Sequence, residues 1–502
     1  MSDSRCHSLF RLPGACLLLA ALILSTGIVT AQEPLDARQL GFLDSIARGR
    51  LSGRWTELGT NELKALRIKA EAYDAEIQKH HLAGGLVVSS RYSDPQRTEL
   101  VAYENLGQSA AMTGFHLAGM AYWFSVDIKP QALEHIRESL TGFETLMTVS
   151  GRTGYLPAFA GPADHPPYKA AYSTFGGLDP ARPGFGRLAF PGTGASRDLV
   201  WLGGASRDNY SGAAFGLGMT FKRVREPRIR QRVSNLVEQI IQRLDQDQWR
   251  IRDGQGSETF VTPLLECALL RVGTTVNSAR YTARYETAVE RFINIPPPTP
   301  VRYGDPTPTV FAAANLMTLT GLETNETRRL IFQDRLTKMW RASGPDLNPW
   351  LAIAYVNAFD RTPNDPMAGA ILQGLLHQFP NPPRWQGATP AVPTNAPLLE
   401  ANGLTWARHA RPLSERRIGP FQWSVSPHDP NPGSAEPVTH PGLDFLTTFW
   451  IARDSGIIPH ESIQRSTNAR PGLVRPPSVR RPTPTNAPRT VPARTNTNPV
   501  PR

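Results

Sequence analysis

The residues best placed to do chemistry stand in three short runs. Arg207-Asp208-Asn209-Tyr210-Ser211-Gly212 opens a stretch rich in small residues, with Asp198 and Trp201 just before it. Glu104-Asn105 stands in the same relation to a second small-residue stretch, and Glu258 follows Asp253-Gly254-Gln255-Gly256 at the entry to a third. A carboxylate at a helix start is most simply an N-cap or first-turn acid that satisfies free backbone N–H groups. The alternative is that it faces a cleft. Two carboxylates facing one cleft are what glycoside hydrolysis requires: one protonates the leaving oxygen, and the other activates water or attacks the sugar. On that reading Asp208, Glu104 and Glu258 are the catalytic candidates, and Arg207, Asn209 and Tyr210 hold substrate.

Aromatic side chains are concentrated in the stretches between the apolar segments: Tyr155, Tyr168, Tyr172, Phe175, Phe185, Trp201, Trp385, Trp406, Phe421 and Trp423. Each taken singly reads as loop packing, but together they suit the apolar faces of sugar rings, with Trp201, Tyr210, Trp406 and Trp423 as platforms. His165, His409, His428 and His440 lie in the same stretches. His428, followed by Asp429, is a polar contact or a proton-transfer element. A lyase acting on an acidic polysaccharide is the rival chemistry, with Tyr210 or His428 as base and Arg207 and Asn209 neutralising a uronate. No His-Glu-x-x-His, paired Cys-x-x-Cys or EF-hand spacing occurs, so no metal site is expected, and no cofactor is called for. Gly-x-Ser-x-Gly and Walker-type loops are absent, and Gly184-Phe185-Gly186 lacks a preceding strand, which argues against nucleotide binding.

Positioning such residues falls to helices. Leu133, Ile136, Leu140, Phe143 and Met147 recur at spacings of three and four and stop at Gly151, one apolar stripe of a helix. It follows a helix expected over about Glu99–Ser125 across a five-residue link, which makes the two an antiparallel hairpin. The pattern recurs: about 208–223 with the helix carrying Ile229, Val233, Leu236, Val237, Ile240, Ile241 and Leu244; about 260–272 with 276–293; 308–320 with 325–342; and 348–359 with 365–379. The stretches around Asn61–His81 and Leu443–Asp454 complete a sixth pair. Six hairpins with almost no convincing strand predict an all-α (α/α)6 toroid, with an open α-solenoid as the structural alternative. Gly107, Ala110, Ala111, Gly114 and Gly119 in one first helix, and Gly212, Ala213, Ala214, Gly216 and Gly218 in another, would let inner helices approach closely. Hairpin geometry gathers the long connections, about 151–206 and 381–442, on one face with the N-termini of the first helices, and that face is the expected site.

Length and charge frame this body. The chain has 502 residues, of which 46 are proline, and a net charge of +11. Residues from Arg465 onward hold eight arginines, nine prolines and no acid; with +1 on residues 1–31, this leaves +2 for residues 32–464. The basic character therefore belongs to a tail, read as a disordered segment over 461–502 that contacts the envelope surface or stays solvated; a nucleic-acid partner is not expected. Arg5 and Arg11 precede an apolar run that ends in Val29-Thr30-Ala31, the pattern of a signal peptide over 1–31. Export to the periplasm or the extracellular space follows, with a lead segment over 32–60 and the toroid over 61–460. Cys267 alone would remain, as a small core residue.

The layout resembles the six-hairpin glycosidase-like (α/α)6 toroids of bacterial secreted proteins. The resemblance is carried by Glu104-Asn-Leu-Gly-Gln-Ser-Ala-Ala-Met-Thr-Gly-Phe-His-Leu-Ala118, by Thr148-Val-Ser-Gly-Arg-Thr-Gly-Tyr-Leu156 and by Arg207-Asp-Asn-Tyr-Ser-Gly-Ala-Ala-Phe-Gly216. Ile418-Gly-Pro-Phe-Gln-Trp423 followed by Pro441-Gly-Leu-Asp-Phe445 is similar to the C-terminal pattern of a group of secreted toroid proteins. The resemblance covers roughly 60–460 and implies a carbohydrate ligand, with hydrolases, related uronyl-acting enzymes and lyases all on similar folds. An exported glycoside hydrolase-like protein is the expectation. A polysaccharide lyase, or a non-catalytic envelope glycan-binding or scaffold protein, is the alternative.

Overall fold

The computed structural model describes residues 60–173, 189–254, 256–296, 300, 303–343, 348–359, 376, 378–387 and 397–458. The expected signal peptide, nearly all of the lead segment, the basic tail, Phe175, Phe185 and most of the helix expected over 365–379 lie outside the described residues.

The described chain is predominantly helical. Its helices are α1 (Thr60–Glu76, continued by a π-helical turn Ile77–His81), α2 (Ser109–Asp127), α3 (Pro130–Val149), α4 (Pro166–Ser173), α5 (Arg207–Arg223), α6 (Pro227–Gln246), α7 (Pro263–Val276), α8 (Ser278–Ile293), α9 (Thr307–Leu322), α10 (Glu326–Ser343), α11 (Pro349–Asn357) and α12 (Leu443–Asp454). Their starts are chemically marked. Proline stands in the first turn of α3, α5's partner α6, α7, α9 and α11, where a missing N–H costs nothing. Glu226, Thr262, Asn277 and Asn348 each accept a first-turn N–H of the following helix. On α6 every residue of the expected stripe, Ile229 to Leu244, is buried.

Two classes of helix result. The helices α2 and α5 are buried all round: Ser109–Trp123 and Asn209–Phe221 are continuous buried runs. By contrast α6 and α8 bury one stripe each. The first class packs in a cycle: α2 on α5, α5 on α7, α7 on α9, α9 on α11, α11 on α12, and α12 back on α2. The second class lies against it, with α3 on α2, α6 on α5 and α7, α8 on α7, α10 on α9 and α11, and α1 on α12. The α5 and α9 helices also touch directly, so the cycle is drawn in rather than open at its centre. Phe115, Phe215, Phe311, Trp350 and Phe421 meet there, with Phe115 stacked on Phe311 at 5.4 Å between ring centroids.

Small residues set the tightest of these contacts. A Cβ on Gly114 would lie 2.0 Å from the Gly212 carbonyl oxygen, and one on Gly216 would lie 2.4 Å from that of Gly114. At α2–α5 the helices therefore touch backbone to backbone, which compensates the ~1 kcal/mol that each glycine costs a helix relative to alanine.

The expectation of almost no strand needs correction. Short strands form small antiparallel sheets in the connections: β1 (Leu82–Ala83) with β2 (Leu86–Val87); β5 (Phe159–Pro162), β7 (Leu199–Leu202) and β6 (Ala189–Pro191) in that spatial order; β8 (Arg250–Arg252) with β9 (Glu258–Phe260); and β11 (Leu398–Ala401) with β12 (Leu404–Ala407). A four-stranded sheet runs β10 (Arg384–Trp385), β13 (Val438–His440), β3 (Ser89–Tyr92) and β4 (Leu100–Glu104). The helix expected from Glu99 accordingly begins only at Ser109. Leu100–Glu104 pairs with Ser89–Tyr92, and Asn105 at φ 59° breaks the chain before α2. Helix α7 likewise starts at Pro263, after the β9 strand.

Behind the sheet lies a buried ion pair. The Arg384 guanidinium bonds the Asp444 carboxylate, both side chains essentially inaccessible. Asp444 also accepts the Gln422 backbone N–H at 2.7 Å, and Arg384 donates to Gln422 Oε1 at 2.6 Å. The Trp423 indole donates to the Asp444 carbonyl at 2.9 Å. The segments Ile418–Trp423 and Pro441–Phe445, far apart in sequence, are thus one structural unit. Among the described residues no helix is long and apolar enough to cross a membrane.

Candidate functional site

A pocket of about 350 Å³ opens where three helices of the cycle begin. Helix α5 contributes Arg207, Asp208 and Ser211; α7 contributes its cap Thr262 with Pro263 and Leu264; α9 contributes Pro308, Phe311, Ala312 and Asn315. Phe292 at the end of α8, with Ile295 and Pro296 beyond it, closes the remaining side. The lining is divided. Phe292, Phe311, Leu264 and the prolines form an apolar wall, while Arg207, Asp208, Ser211 and Asn315 form a polar edge.

The polar edge is built by local capping. Ser206, not Asp208, is the N-cap of α5, its hydroxyl accepting the Asn209 N–H at 3.3 Å. Asp208 is left as a first-turn acid, partly exposed and steadied by the helix N-terminus. One turn on, Ser211 Oγ accepts Asn315 Nδ2–H at 2.9 Å across the α5–α9 contact. Asn315 is 3% exposed, and its Oδ1 has no hydrogen-bond partner. A buried amide oxygen without a partner costs about 1–3 kcal/mol, and here it belongs to a residue that lines a cavity.

The other residues expected at the site are elsewhere or otherwise engaged. Glu104 ends β4 instead of opening a helix, and it accepts a 2.6 Å hydrogen bond from Arg91, which also holds Glu436. Glu258 sits on the β8–β9 hairpin between Arg250 and Arg252, at 2.6 and 2.9 Å, and the hydrogen bond from Arg250 holds its carboxyl below the usual range. The three candidate carboxylates are therefore not brought into one cleft: among the described residues lining the pocket, Asp208 is the one carboxylate.

Asn209 is fully buried and joins α5 to the chain before α2, its Oδ1 accepting the Ala111 N–H and its Nδ2 donating to Gly107 and Gly204 carbonyls. Tyr210 is 1% exposed, its hydroxyl accepting the Leu156 N–H at 3.3 Å, and burial pushes its pKa up. That is the opposite of what a lyase base needs. Trp201 packs between Phe190 and Tyr155 and donates to the Pro191 carbonyl. Trp406 donates to the Ala401 carbonyl across its hairpin, and Trp423 is held by Asp444. His428 is wholly buried, its Nδ1 2.9 Å from the Ala407 carbonyl and its ring edge-on to Tyr303. Trp201 and Trp406 pack within the long connections themselves, whereas Asn209, Tyr210 and Trp423 tie those connections to the helices. None of these six side chains lines the pocket.

What the sequence reading passed over is the opposite wall. Phe311 and Asn315 sit within a helix that is apolar all round, where nothing distinguishes a lining residue from a core one. The Thr262-Pro263 start of α7, a cap followed by proline, was the readable signal for that corner. Among the described residues no group of three or more His, Cys, Asp or Glu side chains is arranged to hold a metal ion. Cys267 is completely buried, and burial pushes its thiol pKa up.

No family model matches the chain, and no curated protein matches it. Among solved structures it is similar to cellobiose 2-epimerase from Spirochaeta thermophila, at 12% identity over 79% of this chain and 98% of that one, with a TM-score of 0.36.

Proposed function

We propose that this chain is an exported carbohydrate-processing protein built as a drawn-in (α/α)6 toroid, with its ligand seated in the pocket at the starts of α5, α7 and α9. One observation carries the reading: an apolar wall faces a row of hydrogen-bonding groups across a ring-sized space. A pyranose has the same two-sided character, with C–H groups on its faces and hydroxyls at its rim. The pocket volume of about 350 Å³ lies toward the small end of the ~300–1,000 Å³ typical of ligand sites, the size of one or two sugar rings. Asp208 is the acid–base group of the site, and Arg207 beside it contacts substrate oxygens.

A second reading has its own support. Hydrolysis through a carboxylate pair needs a partner for Asp208, and the arginines hold Glu104 and Glu258 away from the pocket. That favours a glycan-binding protein without a hydrolytic step. One experiment separates the two: reducing-end release and glycan binding measured in parallel on the full chain, wild type and Asp208→Asn. A glycan-cleaving enzyme releases ends from at least one glycan, and the folded variant loses at least about 100-fold of that activity. Binding without release supports the binding protein. Neither binding nor release across neutral and acidic glycans overturns both.

A further inference from the structure

A second cavity meets the same helix turn as the first. It has a volume of about 660 Å³ and lies between the start of α9 and the connection that returns to α12. Asp305 and Thr307 line it on one side, and Gln386, Arg417 and Asn431 on the other. Thr307 and the Pro308 of the first pocket are consecutive residues in the first turn of α9. A run of rings links the two linings: Phe311 of the first pocket stacks on Phe115, which packs against Phe421, and Pro420 beside Phe421 lines the second cavity.

The two cavities differ in character. The first is mostly apolar, whereas the second is edged by side-chain amides, a carboxylate and a guanidinium. Its groups are fixed from behind. Gln386 has both backbone groups committed, its N–H to the Val438 carbonyl at 2.8 Å and its carbonyl to the Glu436 N–H at 3.1 Å. Asn431 Oδ1 accepts the Gly433 N–H at 2.9 Å, and Arg417 is paired with Asp429 at 3.3 Å. A chain of hydroxyls running over the first turn of α9 would meet these donors and acceptors.

We infer that this second cavity is a further saccharide subsite, so that the protein takes an oligosaccharide lying across α9 with one ring in the Asp208 pocket and the next rings beside Gln386, Arg417 and Asn431. The inference rests on the carbohydrate reading of the first pocket and adds a length requirement to it.

Gly387 offers a clean way to block the subsite. It lines the cavity, and a Cβ built on it meets no atom of the described residues within 4 Å, so the first carbon of an added side chain needs no backbone shift. The probes are glucose with maltotetraose, xylose with xylotetraose, and galacturonate with tetragalacturonate, titrated calorimetrically into the full chain. In at least one series the tetrasaccharide binds about tenfold or more tighter than its monosaccharide, the equivalent of one or two added hydrogen bonds. Gly387→Phe and Gln386→Ala each bring that ratio close to one while monosaccharide affinity stays within about twofold. Gly387→Ala keeps the ratio, and all three variants keep the wild-type melting temperature. Equal affinity for monomer and tetramer in wild type overturns the subsite and leaves the carbohydrate reading standing. A length dependence that survives Gly387→Phe also overturns the subsite. No binding in any of the three series overturns the reading on which it rests.

Discussion

At the scale of single residues, Asn315 is the most informative side chain in the molecule. Its amide is buried and half satisfied: Ser211 takes the Nδ2 proton and nothing takes up Oδ1. Replacing it with leucine removes the orphan acceptor at similar volume. We expect Asn315→Leu to leave the ligand-free protein as stable as wild type or more so, by up to about 1 kcal/mol in urea unfolding. Glycan binding should fall by about tenfold or more. A residue kept only for packing would show loss of stability and no effect on binding. The place of Asp208 in the first turn of a small-residue helix was legible in the sequence. Tyr210, Trp423 and His428 were misjudged because residue type alone does not tell a ring that faces solvent from one that packs a loop. The decisive facts, the Leu156 N–H, the Asp444 carbonyl and the Ala407 carbonyl that hold them, come from 54, 21 and 21 positions away.

Helices were legible where their period was strong. The stripes of α3 and α6 appear as read, and the glycine-rich faces of α2 and α5 do meet. This contact gives the sharpest test at the scale of elements. Gly212→Ala sets a methyl 2.5 Å from the Ala111 carbonyl, with backbone on both sides and no flexible side chain to yield. The substitution improves local helix propensity, so an isolated helix would gain. In the intact protein we expect a loss of about 1–3 kcal/mol from overpacking, measured as a lower urea midpoint. Strands were not legible for a physical reason. β10 is two residues long, and its partner β13 is more than fifty residues on; no local alternation exists to be read in a segment that short. The apolar residues of Leu100–Glu104 run on toward α2 and read locally as helix, and only pairing with Ser89–Tyr92 settles their conformation.

The whole molecule carries an acid sensitivity that no single segment announces. His81, His116 and His440 are buried where burial disfavours the imidazolium, which lowers the first two to about 3 and the third well below its ordinary value. The unfolded chain binds these protons from about pH 6.5 downward and the folded one does not, so the three contribute no penalty above that pH. Stability is then lost as pH falls from about 6.5 toward about 3, by roughly 1 kcal/mol per pH unit for each of His81 and His116, with His440 acting in the same direction. Asp444 and Glu76 work in the opposite sense, since burial raises their carboxyls above the ordinary value; they offset part of the loss, and His80, lowered to about 4, adds to it. The melting temperature should fall steadily between pH 7 and pH 4, and less steeply in His116→Gln. A flat profile over that range would show that the imidazoles are not protected as described.

The packing of α12 on α2, and of α1 on α12, has a temporal meaning. The packing cycle returns on itself through the helices furthest apart in the described residues, α1 and α2 on one side and α12 on the other. Until Leu443–Asp454 has left the ribosome, the faces of α1 and α2 that it covers have no partner, and the early hairpins can only wait. Such a long-range closure makes folding late and slow compared with a bundle of local contacts. It also leaves a chain cut short before α12 recognisable as incomplete, because α1 and α2 then display the apolar seam that α12 covers.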